Sequence, residues 1–391
     1  MRIGIDYTAA ARQGGGIGRY TRELVTAVLA AQAGATAPVA AGAQPVHDFV
    51  MLAGVAGLGE AWAVEAARLR ALDAPGRVTV RGLPLTDDWM ARIWHRLRLP
   101  LPATWITGRI DLFYAPDFLL PPLPRSVRTL VTIHDLSYMR YPKTFPPQLR
   151  DYLTTTVPRS VERADHILTD SEWTRKDVIE LLGITPKRVT SLHLGVSGTF
   201  TAEAASGERE MLAVKYGIAP GPYILAVGTV QPRKNYERLI EAADRVRESV
   251  DVTLVIAGRA GWLSDPVVEA VKARPHVQLL GFVDDGDLPA LYRQAQVLAY
   301  PSLYEGFGLP PLEAMACGAP VVASSASSVP EAVGDAGLLH DPLDTDALAD
   351  ALRRALTDDA LRADLRQRGL ARAAEFSWTR TAHEWLAAIA T

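Results

Sequence analysis

Apolar runs of four to seven residues recur along nearly the whole chain, each closed by polar or glycine-containing turn residues and followed by a stretch with helical spacing. This alternation restricts the fold more than any other feature. It is the pattern of parallel strands covered by helices on both faces. The runs fall into two series. Arg2–Tyr7, Asp111–Tyr114, Val127–Ile133 and His166–Thr169 form the first. Tyr223–Val227, Val252–Ala257, Val277–Leu280, Val297–Tyr300 and Pro320–Ala323 form the second, which restarts after 197–207. The pattern predicts two different doubly wound α/β domains, 1–200 and 201–375, rather than tandem copies. Apolar spacing of three and four predicts helices over Gly18–Ala30, Tyr236–Glu248, Thr345–Leu356 and Trp378–Ile389. The stretch 31–59 is rich in Ala and Gly, and its periodicity is too weak to place a strand.

A length of 391 residues suits about two or three domains. Apolar residues at 48% and charged residues at 22% fit globular domains, and no apolar run is long enough for a membrane span. A net charge of −3 supplies no bulk positive field for nucleic acid. Cys317, the single cysteine, cannot form an internal disulfide, and Met1–Asp6 reads as a strand rather than a targeting segment, so a cytoplasmic location is expected.

Gln13–Tyr20 places Gly14, Gly15, Gly16 and Gly18 between a strand and a helix, where backbone can approach a phosphate or sugar. A tight turn explains the cluster equally well. The spacing misses the dinucleotide fingerprint, since Arg19 or Thr21 stands where its last glycine belongs. Gly228–Asn235 brings Arg233 and Lys234 to the carboxyl end of a strand, suiting a diphosphate that gains charge as a bond to it breaks; a solvated charge pair is the alternative. In Tyr304–Gly318, Glu305 is expected in a glycine loop and Glu313 in the first helical turn behind Pro310 and Pro311, with Gly318 as the stop. Were both carboxylates on one helix, their eight-residue offset would place them about 12 Å apart along its axis. That is too far for a retaining-glycosidase pair of roughly 5 Å, so two parts of an extended hydroxylated ligand fit them better.

Together, Gly15-Gly16-Ile17-Gly18, His134-Asp135, Arg233-Lys234-Asn235 and the Glu305–Glu313 block, in that order, resemble glycosyltransferase family 4. Ser328–Val333 and Phe376-Ser377-Trp378 extend the resemblance to nearly the whole chain. It implies the GT-B architecture: two doubly wound domains facing across a crevice, with segment 376–391 crossing back as a helix onto the first. It further implies a retaining transferase, with a nucleotide diphosphate sugar held mainly by the second domain and the acceptor mainly by the first. Under it, Arg233 and Lys234 bind the diphosphate. Glu305 with the Gly306, Phe307, Gly308 and Leu309 backbone holds the sugar and phosphate. Glu313 binds ribose hydroxyls, Phe282 and Val283 meet the base, the Gly15, Gly16 and Gly18 loop faces the donor, and His134 lines its sugar.

The glycine-arginine-tyrosine and His-Asp-Leu-Ser-Tyr contexts look most similar to mannosyltransferase-like members. GDP-mannose is therefore the first expected donor and a UDP-sugar the second, with a saccharide or lipid-linked hydroxyl as acceptor in polysaccharide or glycolipid assembly. A nucleotide-sugar isomerase or hydrolase, or a non-catalytic sensor, remains the alternative. No cofactor beyond the donor and no metal is expected. Asp285 and Asp287 read first as a solvated turn before Leu288 and second as a cation loop. Residues 88–98 read as a helix whose Trp89, Ile93 and Leu97 stripe is a core face with solvated arginines; contact with an anionic membrane is the alternative.

Overall fold

The computed structural model describes residues 1–33, 46–72 and 76–390. Seven parallel strands form the first sheet: β1 (Arg2–Asp6), β2 (Asp48–Gly54), β3 (Val78–Leu83), β4 (Leu112–Ala115), β5 (Arg128–Ile133), β6 (His166–Thr169) and β7 (Val189–Ser191), in the order β3-β2-β1-β4-β5-β6-β7. Six more form the second: β8 (Tyr223–Val227), β9 (Thr253–Ala257), β10 (Val277–Gly281), β11 (Val297–Tyr300), β12 (Val321–Ser324) and β13 (Leu338–His340), in the order β10-β9-β8-β11-β12-β13. These are two doubly wound α/β domains of the GT-B type.

Strand alternation explains why both faces need cover. Ile3, Ile5, Phe49 and Met51 pack into one core with Leu24 and Val28 of helix Gly16–Ala33. Val50, Leu52, Val131 and Ile133 point the other way, onto Val157 and Val161 of helix Pro147–Arg163. In the second sheet, Ile224, Leu254 and Ile256 meet Leu239 and Leu352 of helices Tyr236–Arg247 and Thr345–Thr357.

In each sheet the strand order reverses at one point, between β1 and β4 and between β8 and β11. Loops leaving the carboxyl ends there diverge, and the gap between them is where open α/β sheets take ligands. Helix Trp378–Ala390 packs along the first domain: Trp385 stands edge-on to Tyr114 at 5.3 Å, and Arg128 Nη1 donates to the Ile389 carbonyl at 3.1 Å.

Two local readings need correction. β2 lies inside the stretch where periodicity was too weak to place one. Residues 88–98 are not one regular helix: Asp87–Ala91 runs into a π turn over Arg92–Arg96, marked by Leu97 N–H donating to the Arg92 carbonyl at 2.8 Å. The buried side chains are Met90 and Trp94, one position on from the expected stripe, and Trp89 is 52% and Leu97 65% exposed.

Candidate active site

The second-domain half of the crevice is built on a carboxylate clasped by two cations. After β8 the chain makes a tight turn over Pro232–Lys234, and Asn235 at φ 60° starts the next helix. Asn235 is held there by its side-chain amide, which donates to the Pro301 and Pro342 carbonyls at 3.0 and 2.8 Å. Arg233 Nη1 then reaches Glu305 Oε2 at 2.6 Å, and Lys234 Nζ reaches Glu305 Oε1 at 2.6 Å. Glu305 and Lys234 are buried. Burial alone would raise the Glu305 carboxyl, but the two cations outweigh it and hold it at about 2. Burial pushes Lys234 down, against the pull of Glu305. Arg233 and Lys234 are therefore a buried charge cluster, not a solvated pair.

The glycine loop after β11 is shaped by close approach. An ideal Cβ on Gly306 would lie 2.1 Å from the His134 carbonyl oxygen, so only glycine lets the two domains meet there. Thr174 Oγ1 spans the crossing, within 3.2 Å of the His134 carbonyl and 3.3 Å of the Gly306 carbonyl. Ser328 Oγ donates to the Glu305 and Phe307 carbonyls at 2.8 and 2.9 Å, fixing the loop from below. Gly308 at φ 131° then enters helix Leu309–Ala316. Because Pro310 and Pro311 lack N–H groups, that helix start offers an anion fewer donors than an ordinary one.

Glu313 lies in the second turn of this helix, one turn beyond the expected first. The two prolines fill the first turn, so the carboxylate sits deeper, under the helix start. It is buried, accepts from Tyr292 Oη at 2.9 Å and is paired with Arg19 from the opposite domain. Arg19 also reaches Asp285 at 3.0 Å, and Lys215 holds Asp284 at 2.7 Å and Asp287 at 2.5 Å. Asp285 is exposed and Asp287 partly exposed in the turn that leads into helix Leu288–Gln294, as expected, and both are ion-paired there. Phe282 lies under Arg259 at 4.2 Å, half exposed, while Val283 is buried. In the first domain Gly15 and Gly16 face open space, but a Cβ on Gly18 would lie 2.1 Å from the Gln13 carbonyl oxygen, which gives Gly18 a packing role.

His134 closes β5 with both ring nitrogens engaged. Nδ1 is 2.7 Å from the buried Asp170 carboxylate, and Nε2 is 2.7 Å from the Pro116 carbonyl. The Pro116 carbonyl can only accept, so Nε2 donates to it; burial raises the Asp170 carboxyl while His134 pulls it down, and an ionised Asp170 accepts from Nδ1 of an imidazolium. Burial opposes this, but Asp170 outweighs it and lifts His134 to about 9. The imidazolium is therefore bound on both sides by its own domain, and neither nitrogen is turned to the crevice as a free donor.

Beside it, the loops after β1 and β4 enclose a cavity of about 190 Å³ lined by Asp6, Thr8, Gln13, Asp87, His95 and Asp117 among others. Burial pushes the Asp117 carboxyl up to about 6, with His134 pulling it down, and burial with Arg163 lowers His95 to about 4. At neutral pH the lining offers the Asp117 carboxylate and a neutral imidazole, and burial raises the Asp6 carboxyl.

The domains are also joined by Glu331, whose carboxylate accepts from the backbone N–H groups of Glu172 at 2.8 Å and Trp173 at 2.7 Å, at the start of helix Glu172–Leu182. Sequence reasoning gave no role to Arg19, Asp170, Tyr292 or Glu331. Arg19 stood within the glycine loop and Glu331 within the quoted Ser328–Val333 segment, but their partners are distant in sequence and no local spacing reveals them.

Residues 14–198 match "Glycosyltransferase Family 4" and residues 209–372 match "Glycosyl transferases group 1". The chain is 37% identical over 293 residues to the O-antigen chain mannosyltransferase B of Escherichia coli, covering 73% of this chain and 76% of that one. It is 33% identical over 266 residues to the serotype-specific mannosyltransferase WbdA of Escherichia coli, covering 66% of this chain but only 32% of that longer one. In fold it is similar to Anabaena HepE in complex with UDP and glucose, with a TM-score of 0.69 at 17% identity over 100% of this chain and 99% of that one.

Proposed function

This chain belongs to glycosyltransferase family 4 and is a glycosyltransferase, and we propose that it moves mannose, with retention, from GDP-mannose to a hydroxyl of a saccharide or lipid-linked acceptor. The observation that carries the reading is the clasp of Arg233 and Lys234 on Glu305 at the carboxyl end of β8. Buried Lys234 and partly buried Arg233 with one carboxylate leave net positive charge where a diphosphate departs, and such preorganised groups stabilise charge that grows in the transition state. One such donor is typically worth ~3 kcal/mol. Glu305 and the Gly306–Leu309 backbone hold the transferred sugar. Glu313 takes ribose hydroxyls after exchanging Arg19 for them, and Phe282 and Val283 border the base.

Breaking the sugar–phosphate bond leaves an oxocarbenium-like sugar, and the acceptor hydroxyl attacks from the face the diphosphate leaves. The departing phosphate takes the hydroxyl proton. His134, with both nitrogens bound, acts through its fixed charge and by positioning the strand end against Gly306. The cavity at Asp6 and Asp117 suits an acceptor rich in neutral hydroxyls, which can donate to carboxylates. The mannosyltransferase relatives support mannose as the sugar, with GDP-mannose as the proposed donor and a UDP-sugar as the second, and they do not favour an isomerase or hydrolase. Metal-independent chemistry is part of the proposal, since Arg233 and Lys234 can balance the leaving diphosphate.

A thermal-shift screen of GDP-mannose, UDP-glucose and the free nucleoside diphosphates tests the donor. A ligand at a hundred times its dissociation constant stabilises the fold by about 2.7 kcal/mol. A shift with GDP-mannose and GDP is expected. Shifts with UDP compounds alone would move the donor assignment, and none with any nucleotide would defeat the reading.

A further inference from the structure

We infer that Arg259, whose guanidinium lies over the Phe282 ring, reads the base of the donor and selects guanine over uracil. The inference deepens the transferase reading and rests on it, since that reading puts a nucleotide in the crevice.

The loops at the carboxyl ends of β8, β9 and β10 are laced into one surface. Val230 N–H donates to the Arg259 carbonyl and Gly261 N–H to the Val230 carbonyl, both at 2.9 Å. Gly258 bridges to Gly281, and an ideal Cβ on Gly258 would lie 2.0 Å from the Gly228 carbonyl oxygen. The segment that carries Arg259 is thereby tied on one side to the turn leading into Arg233 and Lys234, and on the other to the loop of Phe282. Trp262 fixes the same segment to the first domain: its Nε1 donates to the Thr144 carbonyl at 2.8 Å, and its ring lies 5.4 Å from Phe145. Phe282 in turn faces the first-domain glycine loop, where an ideal Cβ on Gly14 would lie 3.9 Å from the ring edge. The ring is 48% exposed, with the Arg259 guanidinium over it at 4.2 Å. An open aromatic surface with a cation on it thus stands where the two domains approach.

That cation is unspent. Arg19 and Arg233 are committed to carboxylates, Arg19 to Glu313 and Asp285, and Arg233 to Glu305. Arg259 is exposed, and among the described residues its side chain makes neither an ion pair nor a hydrogen bond. The ring beneath restrains the planar group, so little freedom is lost when it pairs.

Chemistry selects the base. Guanine carries two acceptors, O6 and N7, on one edge, at the spacing that an arginine fork binds with two parallel hydrogen bonds. Uracil carries O4 beside an N3–H donor, so the same fork finds one acceptor and a repelling donor. A guanine paired with Arg259 lies in the plane of the guanidinium, and the exposed remainder of Phe282 is left for it to stack on. One such bidentate pair discriminates between bases by roughly tenfold to a hundredfold.

The test is calorimetric titration of the full chain, wild type and Arg259→Ala, with GDP, UDP, IDP and 7-deaza-GDP. UDP carries the same ribose and diphosphate, and so controls for folding and for charge. Wild type should bind GDP roughly tenfold or more tightly than UDP, and IDP, which lacks only the 2-amino group, as tightly as GDP. It should bind 7-deaza-GDP, in which a C–H replaces N7, roughly tenfold more weakly than GDP. Arg259→Ala should lose roughly tenfold to a hundredfold for GDP, keep its UDP affinity, and no longer distinguish GDP from 7-deaza-GDP. Equal losses for GDP and UDP would assign Arg259 to the diphosphate and overturn the inference. So would wild-type indifference to N7, an unchanged GDP affinity in the variant, or a loss with IDP as large as that with 7-deaza-GDP. Tighter binding of UDP than of GDP by wild type would overturn it while leaving the transferase reading standing. Only a failure of every nucleotide to bind wild type would defeat both.

Discussion

Arg19 of the first domain forms an ion pair with Glu313 of the second, across the crevice and on the carboxylate that the proposal gives to the ribose. Tyr292 holds the other oxygen and the side chain is buried, so a nucleotide reaches Glu313 most directly by displacing Arg19. Arg19→Ala should therefore tighten nucleoside diphosphate binding by ~tenfold, the scale of one hydrogen bond to a charged group, while Glu313→Gln weakens it by a similar factor. Calorimetric titration checks both. Equal loss of affinity in the two variants would mean that Arg19 holds the nucleotide instead.

The Glu305 clasp gives Arg233 and Lys234 a structural role besides the one proposed for them in transfer. Removing the Glu305 charge leaves buried Lys234 and partly buried Arg233 without their carboxylate, so Glu305→Gln should cost about 3 kcal/mol at neutral pH. Its folded carboxyl is depressed from 4.5 to about 2, so its stabilisation is present above pH 4.5 and is lost as pH falls through 2. Denaturant titrations across that window should show wild type and variant converging at low pH. A constant gap would contradict the ion pairing. Arg233→Ala and Lys234→Ala should likewise lower stability together with turnover.

His134 titrates with the opposite sign. Its folded value is raised from 6.5 to about 9, so its contribution is complete below pH 6.5 and is lost as pH rises through 9. That shift corresponds to roughly 3 kcal/mol. Wild type should lose stability over this range, and His134→Gln should lack that component of the slope. Identical slopes would place the ring in its neutral form.

Much of this arrangement was legible in the sequence. The apolar runs located most of the strands beside the two switch points, because strands buried on both faces read as uninterrupted apolar segments. β3, β7 and β13 escaped notice because Arg81 is exposed and Val189–Ser191 and Leu338–His340 are very short. The order of Gly15–Gly18, His134, Arg233-Lys234 and Glu305–Glu313 located the crevice. The partnerships did not show: Arg19 with Glu313, His134 with Asp170 and Glu331 with Trp173 join residues 294, 36 and 158 positions apart. The stripe at Trp89 was misread as core because Met90 and Trp94 carry the same four-residue spacing one position on, and spacing alone does not say which of two adjacent apolar faces is covered.

Glu331 should behave as an interdomain cap. Its two hydrogen bonds satisfy N–H groups at the start of helix Glu172–Leu182, so Glu331→Ala should lower stability by about 1 to 2 kcal/mol. Small-angle scattering should show a larger radius of gyration as the domains part more readily. Unchanged stability and radius would assign those N–H groups to solvent.

The central claim is transfer with retention by protein charges. The most direct measurement is NMR of the anomeric proton and carbon of the product formed from GDP-α-mannose and a soluble mannoside, with EDTA present throughout. The account predicts an α-linked product formed at the rate seen with added magnesium. A β-linked product, or activity that EDTA abolishes and magnesium restores, would contradict it.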